Sequence, residues 1–268
     1  MKKLTAILTI LSIMFITACS YKLDESSIPS ESQDAIDYMQ LLIDDDIEKF
    51  RSNFNSELFS IVTEEDLHRV TAFIPGGEVL STKVISWNIR TVNSVWHGNF
   101  VLEYQFTSGW AVAQVSLGRI GDNTVLNAFS FTPTKASQEE LNSFLAVTPT
   151  LDRILIVVLT FASLIFMVIT CYSVYKTPMP VKKWKWYLLS FLGFGAVTMN
   201  WTTGVINFQL LTVQLVGFGA GTGTQYAPWM FKFTVPVSAM IFWMRRKKYI
   251  EQAKAYTTKQ STEEQSAD

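Results

Sequence analysis

The chain has 268 residues, 49% of them hydrophobic and only 17% charged, with a formal net charge of −1. Charge lies below the ~25% usual for soluble domains, which excludes a fully disordered chain and suits a soluble module joined to membrane spans. Two cysteines exclude a disulfide framework, and the length allows one or two domains.

Lys2 and Lys3 precede an uncharged, mostly apolar run, Leu4 to Ala18, whose 15 residues are too short to span a hydrocarbon core of ~30 Å. A basic start and a short apolar stretch form an export signal. The run ends in Ile16-Thr17-Ala18-Cys19, which resembles the lipobox of bacterial lipoproteins. The resemblance implies that residues 1–18 are a cleaved signal peptide, that Cys19 carries a thioether-linked diacylglycerol, and that an acyl chain such as palmitate caps its amino group. The alternative is an uncleaved signal anchor. In either case the following residues are extracytoplasmic, with 19–33 as a polar, Pro29-containing tether. Cys171 sits in an apolar run, so no intramolecular disulfide is expected.

Residues 34–150 read as a soluble α+β domain. Between Ser20 and Thr150 there are eight Lys or Arg against eighteen Asp or Glu, a balance of −10 that repels nucleic acid and anionic headgroups. Ile36, Met39, Leu42 and Ile43, and then Ile47, Phe50, Phe54 and Leu58, recur at helical intervals around the acidic turn Asp44-Asp45-Asp46, predicting two helices in tandem. Thr63 before Glu64-Glu65-Asp66 caps a third, reaching about Phe73, and Pro75-Gly76-Gly77 ends it. The period then changes to two. Ile85, Trp87 and Ile89, and Phe100, Leu102, Tyr104 and Phe106, alternate with polar residues, predicting two long strands. Breaks at Ser108-Gly109 and Gly121-Asp122-Asn123 set off two more, Trp110 to Ile120 and Thr124 to Thr132, and Ser137-Gln138-Glu139-Glu140 opens a helix through Leu145.

Helices followed by a long-stranded antiparallel sheet resemble, over about residues 31–135, the NTF2-like cone superfamily. The resemblance implies a curved sheet around a helix, enclosing a pocket used in some members for ligand binding or acid-base catalysis and in many only for association. Against an enzyme stand the two histidines: His68 lies among polar neighbours, and His97 shares strand parity with Glu103, which puts both on the outer, polar face. Asp37, Tyr38 and Tyr104 are conceivable acid-base groups without diagnostic spacing, and Trp87, Trp96 and Trp110 read as core or rim packing. No residue is assigned as catalytic, and no metal ligand set or cofactor motif is expected.

Residues 151–249 read as an all-α membrane region of about three transmembrane helices. Ile154 to Tyr175 is charge-free for 22 residues between Arg153 and Lys176. Lys176, Lys182, Lys183 and Lys185 then mark a cytoplasmic loop, and Arg245-Arg246-Lys247-Lys248 a cytoplasmic end. An odd number of spans satisfies both: 154–175, 186–204 and 227–244, with the Gly-rich segment 205–226 extended on the outer interface. Lys232 and Pro236 are candidate functional residues of the last span, since proline in a helix would free the Lys232 carbonyl. Residues 250–268 form a polar cytoplasmic tail expected to be disordered.

The sequence therefore predicts a multi-pass lipoprotein of the bacterial cytoplasmic (inner) membrane, with partners in the bilayer itself and in a membrane or periplasmic protein or a small apolar ligand, and none in nucleic acid. A cone-fold isomerase or dehydratase acting on an amphipathic substrate, and an accessory subunit of a transport or assembly complex, are the alternatives.

Overall fold

A computed structural model describes residues 23–121, 123–179 and 182–265. The signal peptide, Cys19 and the start of the tether lie outside the described residues. The described chain divides into two compact units, one running to Ala146 and completed by Gly223–Ala227, the other made of Val147–Thr222 and the chain from Pro228 onward.

The first unit opens with four helices, α1 (Ser32–Ile43), α2 (Ile47–Ser52), α3 (Ser56–Ile61) and α4 (Glu64–Thr71). Side-chain oxygens start three of them. Asp46 accepts the Lys49 amide, Asn55 the Leu58 amide, and Thr63 forms a reciprocal capping box with Asp66. Such caps satisfy amides that a helix start leaves without partners. The sequence predicts one helix where α2 and α3 stand. The break between them is a tertiary effect: the Asn55 amide donates to the Leu126 carbonyl at 2.9 Å and the Leu126 amide to the Asn53 carbonyl at 2.7 Å.

Strands β1 (Val79–Val92), β2 (Val95–Phe106), β3 (Gly109–Ile120) and β4 (Asn123–Thr134) follow as an antiparallel meander in sequence order. Asn93 and Ser94, both at positive φ, make the two-residue turn between β1 and β2. One face of the sheet carries Phe100, Leu102, Tyr104, Phe106, Ala111, Ala113, Val115 and Leu117, all buried against Met39, Leu42, Phe50 and Leu67 of the helices. The opposite face is not wholly solvated. A short helix, α5 (Gln138–Leu141), lies over it, with its first amide donating to the buried Glu103 carboxylate. Glu103 is thus 2% exposed, where strand parity alone puts it in water. The helix also stops four residues short of Leu145, which is exposed.

The second unit differs from the predicted all-α membrane region of three helices. Helix α6 (Leu151–Lys176) forms as expected, 26 residues and about 39 Å long. It is the one helix among the described residues long and apolar enough to cross a membrane. Where the sequence predicts the second and third spans, helix and strand share the run: α7 (Lys183–Ser190) leads into β5 (Leu192–Asn200), and β8 (Met230–Val235) into α8 (Val237–Gln265). With β6 (Ile206–Leu215) and β7 (Gly219–Gly221) these strands form a second antiparallel sheet, in the order β6-β5-β8-β7.

Glycine accounts for the difference. Gly193 and Gly217 both back onto the buried Thr234, whose Oγ1 would overlap a Cβ at either position. Gly195 has φ +67°, which a helix does not accommodate. Hydropathy registers the apolar character of this stretch and is blind to the close approach of its backbones. Nor is Lys232 in a helix: it sits in β8, paired with Thr198 of β5 and Gly219 of β7. Pro236 precedes α8 and accepts the Met240 amide at 3.0 Å, so it opens a helix instead of breaking one. Helix α8 then continues to Gln265, through residues whose polarity predicts disorder.

Both helix-strand arms run along α6. Near its start, Arg153 Nη2 donates to the Thr202 carbonyl at 3.1 Å; midway, the Ser163 hydroxyl donates to the Thr234 carbonyl at 3.3 Å. Further on, Trp243 Nε1 donates to Thr170 Oγ1 at 3.0 Å, and at the end Arg246 Nε donates to Thr177 Oγ1 at 3.2 Å.

Candidate functional site

In the first unit, α1, the end of α2 and the start of β4 surround a polar cleft of about 510 Å³. Asp34 and Tyr38 stand one helical turn apart on α1, which aims both into it. Ser52 ends α2 and Asn53 follows it, and Asn123, Thr124 and Val125 come from the start of β4. A chain of hydrogen bonds runs along the wall: the Tyr38 hydroxyl lies 2.9 Å from both the carbonyl and Oγ1 of Thr124, and the Thr124 hydroxyl donates to Asp34 Oδ2 at 2.9 Å. A carboxylate, a phenol, hydroxyls and amides offer donors and acceptors for a polar partner. The cleft is open, so water competes for each group and no dry reaction chamber forms.

Tyr38 is the one cleft residue that the sequence singles out. Asp34, Asn53 and Thr124 are drawn together by contacts spanning up to 90 positions, and nothing in their local spacing marks them. The other acid-base candidates are not brought together. Asp37 is exposed and accepts from Gln33 Nε2 at 2.7 Å. His68 is exposed, with Nδ1 3.7 Å from the Asp45 carboxylate, and His97 is half-buried on β2 opposite Arg90 and Gly118.

Tyr104 points a titratable group into the first unit's core. Its ring is fully buried beside Phe106 and Phe131, and its hydroxyl has no hydrogen-bond partner among the described residues. Burial, with the nearby Asp37 charge adding to it, pushes this phenol well above its ordinary range. The phenol therefore stays protonated at neutral pH. Trp87 and Trp96 pack against the rim of the same core, and the Arg119 guanidinium lies 4.7 Å from the Trp96 ring.

In the second unit, α6 turns Thr160, Ser163, Thr170 and Ser173 inward, with Ile156, Met167 and Val174. Its exposed residues include Leu155, Val158, Phe161, Ile165 and Ile169. Among the described residues no group of three His, Cys, Asp or Glu side chains could hold a metal ion. Neither a protein-family model, nor a curated protein, nor a solved structure matches the chain.

Proposed function

We propose that the chain is a bacterial envelope lipoprotein anchored in the cytoplasmic membrane, and that its first unit is a non-enzymatic module binding a protein partner at the extracytoplasmic surface. The observation that carries the anchoring is the inside-out pattern of α6. A water-soluble helix buries its large apolar side chains. Here Thr160, Ser163, Thr170 and Ser173 are buried beside Ile156, Met167 and Val174, with the Thr160, Ser163 and Thr170 hydroxyls donating to backbone carbonyls, while most of the branched apolar residues face outward, as on a lipid-exposed helix. In this reading Leu151 is at the outer end, Lys176 at the inner end and α8 ends in the cytoplasm, with the lipid on Cys19 as a second anchor.

Binding is favoured over catalysis by the filled interior of the first unit. Phe50, Phe100, Tyr104 and Leu117 occupy the space that a small apolar ligand or an isomerase substrate would need. The cleft presents hydrogen-bonding groups suited to the backbone and polar side chains of a protein.

Crosslinking in native membranes, followed by mass spectrometry, tests the binding. A single partner joined to residues around Asp34 and Tyr38, and lost when Asp34→Asn and Tyr38→Phe are combined, is expected. Recovery of a bound lipid-like molecule and no protein would overturn it. The anchoring is tested separately by alkaline carbonate extraction: the wild-type chain stays with the membrane, and Ile165→Arg, which costs a central transmembrane position about 2.5–3.5 kcal/mol, weakens its insertion. Labelled palmitate on the wild-type chain, lost in Cys19→Ala, is expected; its absence from the wild type, or its persistence in that variant, would overturn the lipid reading.

A further inference from the structure

Between Asp152 and Glu251 the sequence contains ten Lys or Arg and not one Asp or Glu. Eight of the ten fall in two clusters about sixty positions apart, Lys176, Lys182, Lys183 and Lys185, and Arg245 to Lys248. The structure brings the two together at the C-terminal end of α6. Val174, Trp186 and Phe242 form a buried cluster there, with Trp243 and Tyr249 packed against it, which holds the first half of α7 beside the first half of α8. The Trp186 ring lies 5.5 Å from Phe242 and 5.8 Å from Tyr249.

Like charges gathered in this way repel one another unless anions neutralise them, and the one carboxylate close to either cluster in sequence is Glu251 on α8. The ion pairs found among the described residues all lie in the first unit, and none reaches either cluster. Arg246 is held in place nonetheless. Its Nε donates to the hydroxyl of Thr177, a residue only 1% exposed, and its guanidinium lies 5.3 Å from the Trp243 ring. Both contacts leave Nη1 and Nη2 without a partner among the described residues. Lys183 is fixed in a similar way, its Nζ donating to the Tyr175 carbonyl at 2.8 Å.

We propose that the two clusters form one binding surface for the headgroups of anionic phospholipids, with Arg246 as its fixed donor. The proposal rests on the reading of α6 as a membrane-crossing helix. Position selects the lipid over other anions: the cations begin where the exposed apolar face of α6 ends, after Ile165 and Ile169, and exposed Tyr172, Tyr175 and Trp184 share that level. Aromatic rings and basic side chains at the end of an apolar helix match the headgroup region of a bilayer. A guanidinium anchored through Nε presents its two terminal amino groups as a fork that fits a phosphodiester.

The test uses the full-length protein in nanodiscs of phosphatidylcholine with and without phosphatidylglycerol, and native mass spectrometry to count the lipids retained. Preferential retention of phosphatidylglycerol is expected, weakened about fivefold for each cation removed in Arg246→Gln and Lys183→Gln. Thr177→Val, which changes no charge and frees Arg246, should also reduce the preference. The near-ultraviolet signal of the tryptophans around Trp186 reports folding, and the exposed pair Lys247→Gln with Lys248→Gln replaces any variant that loses it. Equal retention of both lipids by the wild type would overturn the proposal, as would a preference unaffected by all of these variants, or displacement of the lipid by an acidic protein or a nucleic acid. Failure to enter nanodiscs of either composition would instead bring down the membrane-crossing reading of α6.

Discussion

Asn142 donates its side-chain amide to the Tyr226 carbonyl at 2.7 Å, across 84 positions of sequence. The same amide lies 3.2 Å from Gln138 Oε1, so one buried side chain ties α5 to the short segment Gly223–Ala227 that completes the first unit. That bond links the segment to α5 and has no counterpart in local sequence pattern.

Asn142→Ala removes both bonds and strands the Tyr226 carbonyl. We expect a loss of about 1–3 kcal/mol in the local opening free energy of this region, the usual cost of an unmade buried hydrogen bond. Amide hydrogen exchange of the full-length protein checks this: residues 138–142 and 223–227 should lose protection together, while β2 and β3 keep theirs. Independent behaviour of the two segments would show that Asn142 does not couple them.

Tyr104→Phe should stabilise the first unit by about 1 kcal/mol. It keeps the ring packed against Phe106 and Phe131 and removes a buried hydroxyl that has no partner. Denaturant unfolding of the full-length chain, followed at the first unit, provides the measurement. A loss of stability would mean that the hydroxyl has an unseen partner, which would revive a ligand-binding interior.

Acid should weaken the first unit. A hydrogen bond from its own backbone amide, aided by Ser30 and by Arg119 at 3.0 Å, holds the Glu31 carboxyl below its ordinary value. The Thr63 hydroxyl does the same for Asp66, and Lys49 for Asp46. Each folded-state pKa lies below its unfolded value, so the stabilisation is complete above the unfolded values near pH ~4 and is lost as pH falls through the folded ones. All three groups are half-buried and still reached by solvent, so salt reduces the effect. Unfolding titrations from neutral pH downward should therefore show a decline confined to pH below about 5, made smaller by Glu31→Gln. A decline that begins near pH 7 would overturn the assignment to these carboxylates.

Gly193→Ala should disrupt the second sheet. The added methyl meets the buried, β-branched Thr234, which has little freedom to turn away. Overpacking of this kind typically costs about 1–3 kcal/mol. Limited proteolysis checks it, with new cleavage expected within 192–235; Gly219→Ala, which meets nothing within 4 Å, is the control.

Elements governed by nearest neighbours are legible in the order of residues alone. Helix α4 follows from Thr63 and Asp66, the four strands of the first sheet from alternation around Tyr104, and α6 from its unbroken apolar run. The candidate site is largely hidden from such a reading, because Asp34 and Thr124 meet only through folding, and Glu103 is buried by a helix that begins 35 positions later.

The uneven charge, the signal-like start and the apolar run of α6 are properties of the sequence alone, since each depends only on which residues stand next to one another. Whether the remaining apolar stretches become helix or sheet is decided by tertiary contact. Gly193, Gly217 and Thr234 are separated in sequence and meet at one point, where the absence of two Cβ atoms lets backbones approach and makes strands the lower-energy choice. The meeting of the two basic clusters has the same origin: their charges can be counted along the chain, and the packing of Trp186 on Phe242 puts them side by side.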